Sequence, residues 1–292
     1  MMPFHIFLAV LVAVIWGIAF VATKLALESF SPPQLTALRF LIASVPIVLV
    51  ARPPITWPVL CAVGLTLFAG QFLFQFFGIA KGMPPGLASI VVQTQALFTI
   101  LFAAVVLKEK PTRRQLWGTA VAFAGLAVIA VTVGHDLTAI GLCLTAMSAV
   151  SWGIGNVLLK RLARVEMLNF MVWLSLVPPL PSLALSLALD GAAGIARALT
   201  GASWLAVGAA LYLGLVATVL AYVIWGNLLS RYSAATVTPF ALLAPFVAAY
   251  ASSLVFGERF GALRLAGMGL VLLGLAVIVL PLERLAGRRP AP

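Results

Sequence analysis

The sequence predicts an all-α membrane protein of ten transmembrane helices, built as a five-plus-five inverted repeat. Three observations carry this. The 292 residues are 63% hydrophobic and 9% charged, with a mean hydropathy of +1.17, more apolar surface than a water-soluble domain can bury. The apolar residues fall into ten runs of roughly the 20 residues that a helix needs to cross a hydrocarbon core. The last five runs echo the first five.

The first run, near 4–27, follows "MMPFHI", which lacks the basic start and small-residue cleavage site of a signal peptide, and it is too long for one. Span 2 is expected at 34–51 with Pro46 inside it, and span 3 at 57–79 with Gln71 and Gln75. Span 4, at 84–107, opens on Met-Pro-Pro-Gly, and proline is tolerated in a first helical turn. Span 5, 114–133, is glycine-rich and follows "KEK"; span 6, 138–160, carries "SWGIGNVLLK". Span 7 lies at 167–189 with Pro178, Pro179 and Pro181, span 8 at 203–229, and span 9 at 234–256 with Pro239 and Pro245. Span 10, at 262–282, is glycine-rich and follows "GER". Prolines inside spans free backbone groups or bend the helix.

The repeat is legible in register. "WGIAFVATK" (16–24) matches "WGIGNVLLK" (152–160) at a spacing of 136, while Glu109, Gly118 and Gly125 match Glu258, Gly267 and Gly274 at 149. Two units follow, 1–133 and 138–282, with a short tail at 283–292. An odd number of spans per unit turns the second over in the membrane, the plan of secondary transporters that bind cargo near the midplane. With the N-terminus inside, 12 of the 18 basic residues fall on the cytoplasmic side, so both termini are expected there.

These paired WG…K openings, the KEK and GER turns and the duplicated ten-span plan resemble the EamA-domain branch of the drug/metabolite transporter superfamily. "GMPPGLASIVVQTQALFTI", "SWGIGNVLLK" and "YLGLVATVLAYVIWGNLLSRY" are most similar to bacterial O-acetylserine and cysteine exporters. The resemblance implies an inner-membrane exporter of small amino-acid metabolites. A multidrug or other metabolite exporter of the same superfamily is the alternative, and a non-transporting sensor or assembly subunit is the second.

Polar and aromatic residues at helical spacing are the candidates for a cargo cavity. They are Trp16 and Phe20 on span 1, Gln71 and Gln75 on span 3, Gln93 and Gln95 on span 4, Ser148, Trp152 and Asn156 on span 6, and Thr218, Tyr222 and Trp225 on span 8. Amides can bond both ends of a zwitterion, and aromatic faces attract an ammonium. The same groups also serve as interhelical bonds, and each Trp-Gly pair as a close crossing. Gln93 and Gln95 stand about 200° apart around a continuous helix, so one is expected to face cargo and the other a neighbouring helix. The repeat has Leu242 and Ala244 at those places, so neither amide belongs to the duplicated scaffold. Lys24 is a candidate for gating or for binding a carboxylate; it and Arg39 are close enough to span ends to snorkel.

The seven acidic residues, Glu28, Glu109, Asp136, Glu166, Asp190, Glu258 and Glu283, fall at span ends or in loops, and neither His5 nor His135 is mid-span. No intramembrane proton relay is expected, so transport is downhill or coupled through Glu28 or a backbone-held ion. The same scarcity argues against an enzyme, a metal or a haem, and no nucleotide-binding loop is present. No cofactor is expected; the partners are a small-molecule substrate and the bilayer, with no nucleic acid, since the basic residues sit in short segments between spans. Cys61 and Cys143 are expected to be packing residues.

Overall fold

The computed structural model describes residues 1–134, 136–162 and 166–280. The tail at 283–292 with Glu283, Arg284, Arg288 and Arg289 lies outside them, as do His135 and Arg164. Among the described residues nine helical segments are long and apolar enough to cross a membrane: Pro3–Ala26, Pro32–Leu49, Trp57–Ala80, Pro85–Val106, Ala139–Lys160, Leu168–Leu189, Trp204–Arg231, Thr238–Phe256 and Ala262–Val279. A further helix, Arg113–Ala130, matches the last in length but opens on Arg113, Arg114 and Gln115. It occupies the place of span 5, so the numbering 1 to 10 is kept. The near face is the one carrying the N-terminus, and the far face is opposite.

Local chemistry starts the helices where the sequence asks. Ser31 and Gln34 form a reciprocal capping box at span 2, and Thr112 and Gln115 form another at span 5. The segment between spans 7 and 8 holds a helix that periodicity did not reveal, Gly191–Gly201, at the far face.

Spans 5 and 10 cross through the glycines that mark the repeat. A Cβ on Gly125 would lie 2.6 Å from the Gly267 carbonyl oxygen, and one on Gly118 would lie 2.6 Å from that of Gly274. Gly118 and Gly125 thus each meet the repeat partner of the other, at a separation that admits no side chain. Arginines close both ends of the pair. Arg264, at the start of span 10, bonds Thr132 and Asp136 beyond the end of span 5, and Arg114, at the start of span 5, donates to the Val277, Ile278 and Leu280 carbonyls.

Among the described residues six spans are interrupted, again in matching pairs: span 2 tightens into a 3-10 stretch at Val45–Leu49, and its partner, span 7, breaks between Leu174 and Pro179. Spans 3 and 8 loosen into π-helical turns at Leu65–Gly70 and Tyr212–Leu220, a distortion that often accompanies functional sites. Span 4 breaks between Val92 and Gln95, and span 9 passes through a tight 3-10 stretch, Thr238–Leu243, before Ala244–Phe256. Gln95 and Ala244, the first residues of the two resumed helices, are repeat partners. Span 9 therefore breaks where span 4 does, with Pro239 and Pro245 flanking the change.

Cys61 and Cys143 do not pack inside. Both are free thiols at exposed positions of their spans.

Candidate functional site

A cavity of about 450 Å³ lies between the repeats, walled by spans 1 to 4 of the first and 6, 8 and 9 of the second. Trp16, Phe20, Gln71, Gln75, Gln93, Gln95, Trp152, Asn156, Tyr222 and Trp225 all line it.

Spans 1 and 6 show how each Trp-Gly pair divides its work. Gly17 abuts span 9, where a Cβ would fall 2.6 Å from that of Val247, and Gly153 abuts span 4, 2.8 Å from the Cβ of Phe98. The glycines make the crossings; the indoles turn to the cavity. Trp16 donates its Nε1–H to the Ala217 carbonyl at 3.2 Å. Its ring lies 5.0 Å from Trp225 and 5.8 Å from Tyr222, giving an aromatic wall.

The amides line other sides. Gln71 Nε2 donates to Gln75 Oε1 at 2.8 Å, leaving Gln71 Oε1 buried without a hydrogen-bond partner. Asn156 Nδ2 donates to Thr99 Oγ1 at 3.1 Å, and that hydroxyl donates to the Gln95 carbonyl. Ser148, on the same stripe as Trp152, is buried away from the cavity and donates to the Thr145 carbonyl.

The expectation that Gln93 and Gln95 face opposite ways fails, because it assumed an unbroken helix. Gln93 and Thr94 take tight turns, their N–H groups bonding the Ile90 and Val91 carbonyls. These turns change the angular offset between the two residues before the helix resumes at Gln95, and both amides line the cavity. Arg39 does not snorkel. It is 4% exposed, lines the cavity, donates from Nε to Thr218 Oγ1 at 3.1 Å and holds its guanidinium 4.1 Å from the Phe72 ring centroid. Sequence reasoning missed it by taking its distance from the helix start as short; Pro32 sets that start about two turns earlier. Lys24 lies outside the cavity lining, its Nζ 4.5 Å from the Phe256 ring centroid near the far face.

The cavity is sealed at the far face. All eight residues of Pro85–Val92 are buried, against the far part of span 9. Toward the near face Gln95–Val106 leaves span 9 and packs on span 6, and no residue of Thr238–Leu243 is buried. The opening therefore points to the near face. Glu258 completes the seal: Gly86 N–H, in the first turn of span 4, donates to Glu258 Oε2 at 3.2 Å and is within 3.3 Å of Ser252 Oγ. Glu258 Oε1 is buried without a hydrogen-bond partner. Burial pushes this carboxyl above its ordinary range, against the opposing pull of Ser252, the Gly86 N–H and Lys24.

A more open depression of about 550 Å³ lies at the far face beside Gly191–Gly201. Of its two carboxylates, Glu28 and Asp190, the latter already accepts from Ser31, Gln34 and Ser186, so it ties span 2 to span 7.

The EamA-like transporter family model matches residues 3–131 and again residues 139–280. The chain belongs to the EamA-like transporter family. Similar proteins span nearly its whole length. A probable amino-acid metabolite efflux pump of Salmonella typhimurium is 41% identical over 280 residues, 94% of each chain. One of the same description from Escherichia coli is 37% identical over 283 residues, 94% of this chain and 95% of that one. A probable terminal-alkyne amino-acid exporter of Streptantibioticus cattleyicolor is 30% identical over 291 residues, covering 96% and 94%. A solved crystal structure, 21% identical, superposes with a TM-score of 0.64 over 95% of this chain and 97% of its own, which shows the shared fold. The EamA chain is thus a multi-pass membrane transporter and not an enzyme.

Proposed function

We propose that this protein exports small amino-acid metabolites, O-acetylserine, cysteine or related amino acids, across the bacterial inner membrane by alternating access. The observation that carries the reading is a cavity between the two repeats, lined by amides and indoles and sealed at one face. Relatives described as amino-acid metabolite efflux pumps support the cargo class. The excess of basic residues at the near face makes that face cytoplasmic, so the cavity is loaded from inside.

The repeat supplies the second state. Lys24 and Lys160 are repeat partners, as are Glu109 and Glu258. At the near face Glu109 pairs with Lys160 at 2.8 Å, both about half exposed. At the far face Lys24 rests on Phe256, and Glu258 instead takes the backbone N–H of span 4. Exchanging these roles gives an outward-open state in which Glu258 turns to Lys24 and Glu109 takes the start of span 9. Two opposed halves of similar sequence keep the two states close in energy, which shuttling requires.

Overproduction in a bacterium that accumulates O-acetylserine tests the function. External O-acetylserine and cysteine are expected to rise and the internal pools to fall. Unchanged distribution with the protein present in the membrane would refute export.

A further inference from the structure

Two arginines are buried among the described residues, and they are not in the same condition. Arg264, 7% exposed, is matched by Asp136 and by the hydroxyl and carbonyl of Thr132. Arg39, 4% exposed, has one protein acceptor, Thr218 Oγ1, on one of its five N–H donors. Among the described residues no carboxylate pairs with it. Among the described residues it is also the only charged one in the cavity lining.

Burying a cation without an anion is costly, and the cost is met only when a partner arrives. Its surroundings fix the guanidinium without neutralising it. Thr218 holds Nε, and the rings of Phe72 and Phe40, 4.1 and 5.8 Å from the guanidinium carbon, hold the plane. This leaves the terminal nitrogens, the edge that takes a carboxylate with two parallel bonds. Thr218 sits in the π-helical stretch of span 8 and returns its own proton to the Leu213 carbonyl, so its oxygen is set to accept from Arg39. At the spacing that relates spans 1 and 6, the counterpart of Arg39 is Ser175, which bonds the Met171 carbonyl within its own helix. The arginine is therefore foreign to the duplicated scaffold, as a group that reads cargo should be.

We propose that Arg39 is the carboxylate receptor of the cavity and that the cargo is a compound bearing both a carboxylate and an ammonium. The carboxylate docks on the free edge of the guanidinium. The ammonium is received by the unpartnered Gln71 Oε1 and by the faces of Trp16, Tyr222 and Trp225. A second cation in the same cavity has nothing to neutralise Arg39, so lipophilic amines are poor cargo. This deepens the exporter reading and rests on it for the word cargo; the binding chemistry stands on the cavity alone.

The experiment uses the purified full chain with four probes: cysteine, cysteamine (which lacks the carboxylate), 3-mercaptopropionate (which lacks the ammonium) and sulfate. Thermal stabilisation in detergent and inhibition of labelled O-acetylserine counterflow in proteoliposomes are both measured. Cysteine is expected to act most strongly, 3-mercaptopropionate next, and cysteamine and sulfate at least about tenfold more weakly than cysteine, the loss of a charge-assisted bond. Arg39→Gln is expected to abolish the preference for cysteine over cysteamine, and Arg39→Lys to restore part of it. Equal action of cysteine and cysteamine on the unaltered protein overturns the proposal, and needs no variant to fold. So do stabilisation by sulfate equal to that by cysteine, no stabilisation by either carboxylate, or a preference that survives in Arg39→Gln. Stabilisation by cysteine without counterflow of any amino acid would leave the receptor standing and remove the exporter reading instead.

Discussion

Removing the Glu258 side chain should tilt the protein toward opening at the far face, by an amount the geometry sets. In the sealed state the carboxylate accepts the Gly86 N–H at 3.2 Å, at the positive end of the Pro85–Val92 helix. Hydrogen bonds to a charged group contribute about 1.5–3 kcal/mol net. The contact is long, and Ser252 Oγ, 3.3 Å from the same nitrogen, remains as a second acceptor, so the low end applies. A loss of about 1.5 kcal/mol from one state shifts a two-state population by roughly tenfold. Ser89, 2% exposed and lining the cavity, is the reporter. Ser89→Cys is placed in a background with Cys61 and Cys143 changed to Ser and labelled from the far face with a membrane-impermeant thiol reagent. Glu258→Ala should raise the labelling rate about tenfold and Glu258→Gln, which keeps an acceptor, by less. Equal rates in all three proteins would refute the assignment of Glu258 to the seal.

Other outcomes follow from the same contacts. Burial raises the Glu258 carboxyl, so it holds a proton more tightly with the far face sealed than with it open. With Lys24 and Asp136 as the charged groups acting on it, raising the pH through that elevated value should weaken the seal and speed Ser89→Cys labelling, and the pH response should vanish in Glu258→Gln. Gly125→Ala puts a methyl group 2.6 Å from the Gly267 carbonyl and should lower the melting temperature in detergent. Gly269→Ala, with nothing within 4 Å of its Cβ, should hold or raise it, since Ala exceeds Gly in helix propensity by about 1 kcal/mol; the reverse order would refute the crossing. Gln93→Leu and Gln95→Leu should each alter the substrate profile in counterflow, because both amides line the cavity, and a profile unchanged by either would make that amide an interhelical bond.

Much of this was legible in the sequence because the bilayer makes it so. Composition and run length give the spans, and the glycines that match at 118, 125, 267 and 274 proved to be where the two repeats touch. Eight of the ten candidates that line the cavity stand at helical spacing, a sound guide wherever the helix stays regular. It failed at the break after Val92, where a tight turn, with the Thr94 hydroxyl bonded to the Val91 carbonyl, shifts the phase of the helix without any glycine or proline to announce it. Arg39 was misjudged for a related reason. Depth along a helix depends on where the helix starts, and the Ser31–Gln34 box moves that start. Glu258 was dismissed as a loop acid because its partner, the backbone N–H of Gly86, lies 172 residues away and carries no side-chain signal.

The central claim, transport of amino-acid metabolites through one alternating cavity, is tested most directly by counterflow in proteoliposomes loaded with unlabelled cysteine, O-acetylserine or threonine. Labelled amino acid is expected to accumulate transiently inside the loaded vesicles and not in empty ones. No exchange for any amino acid, from protein shown to be folded and inserted, would contradict it.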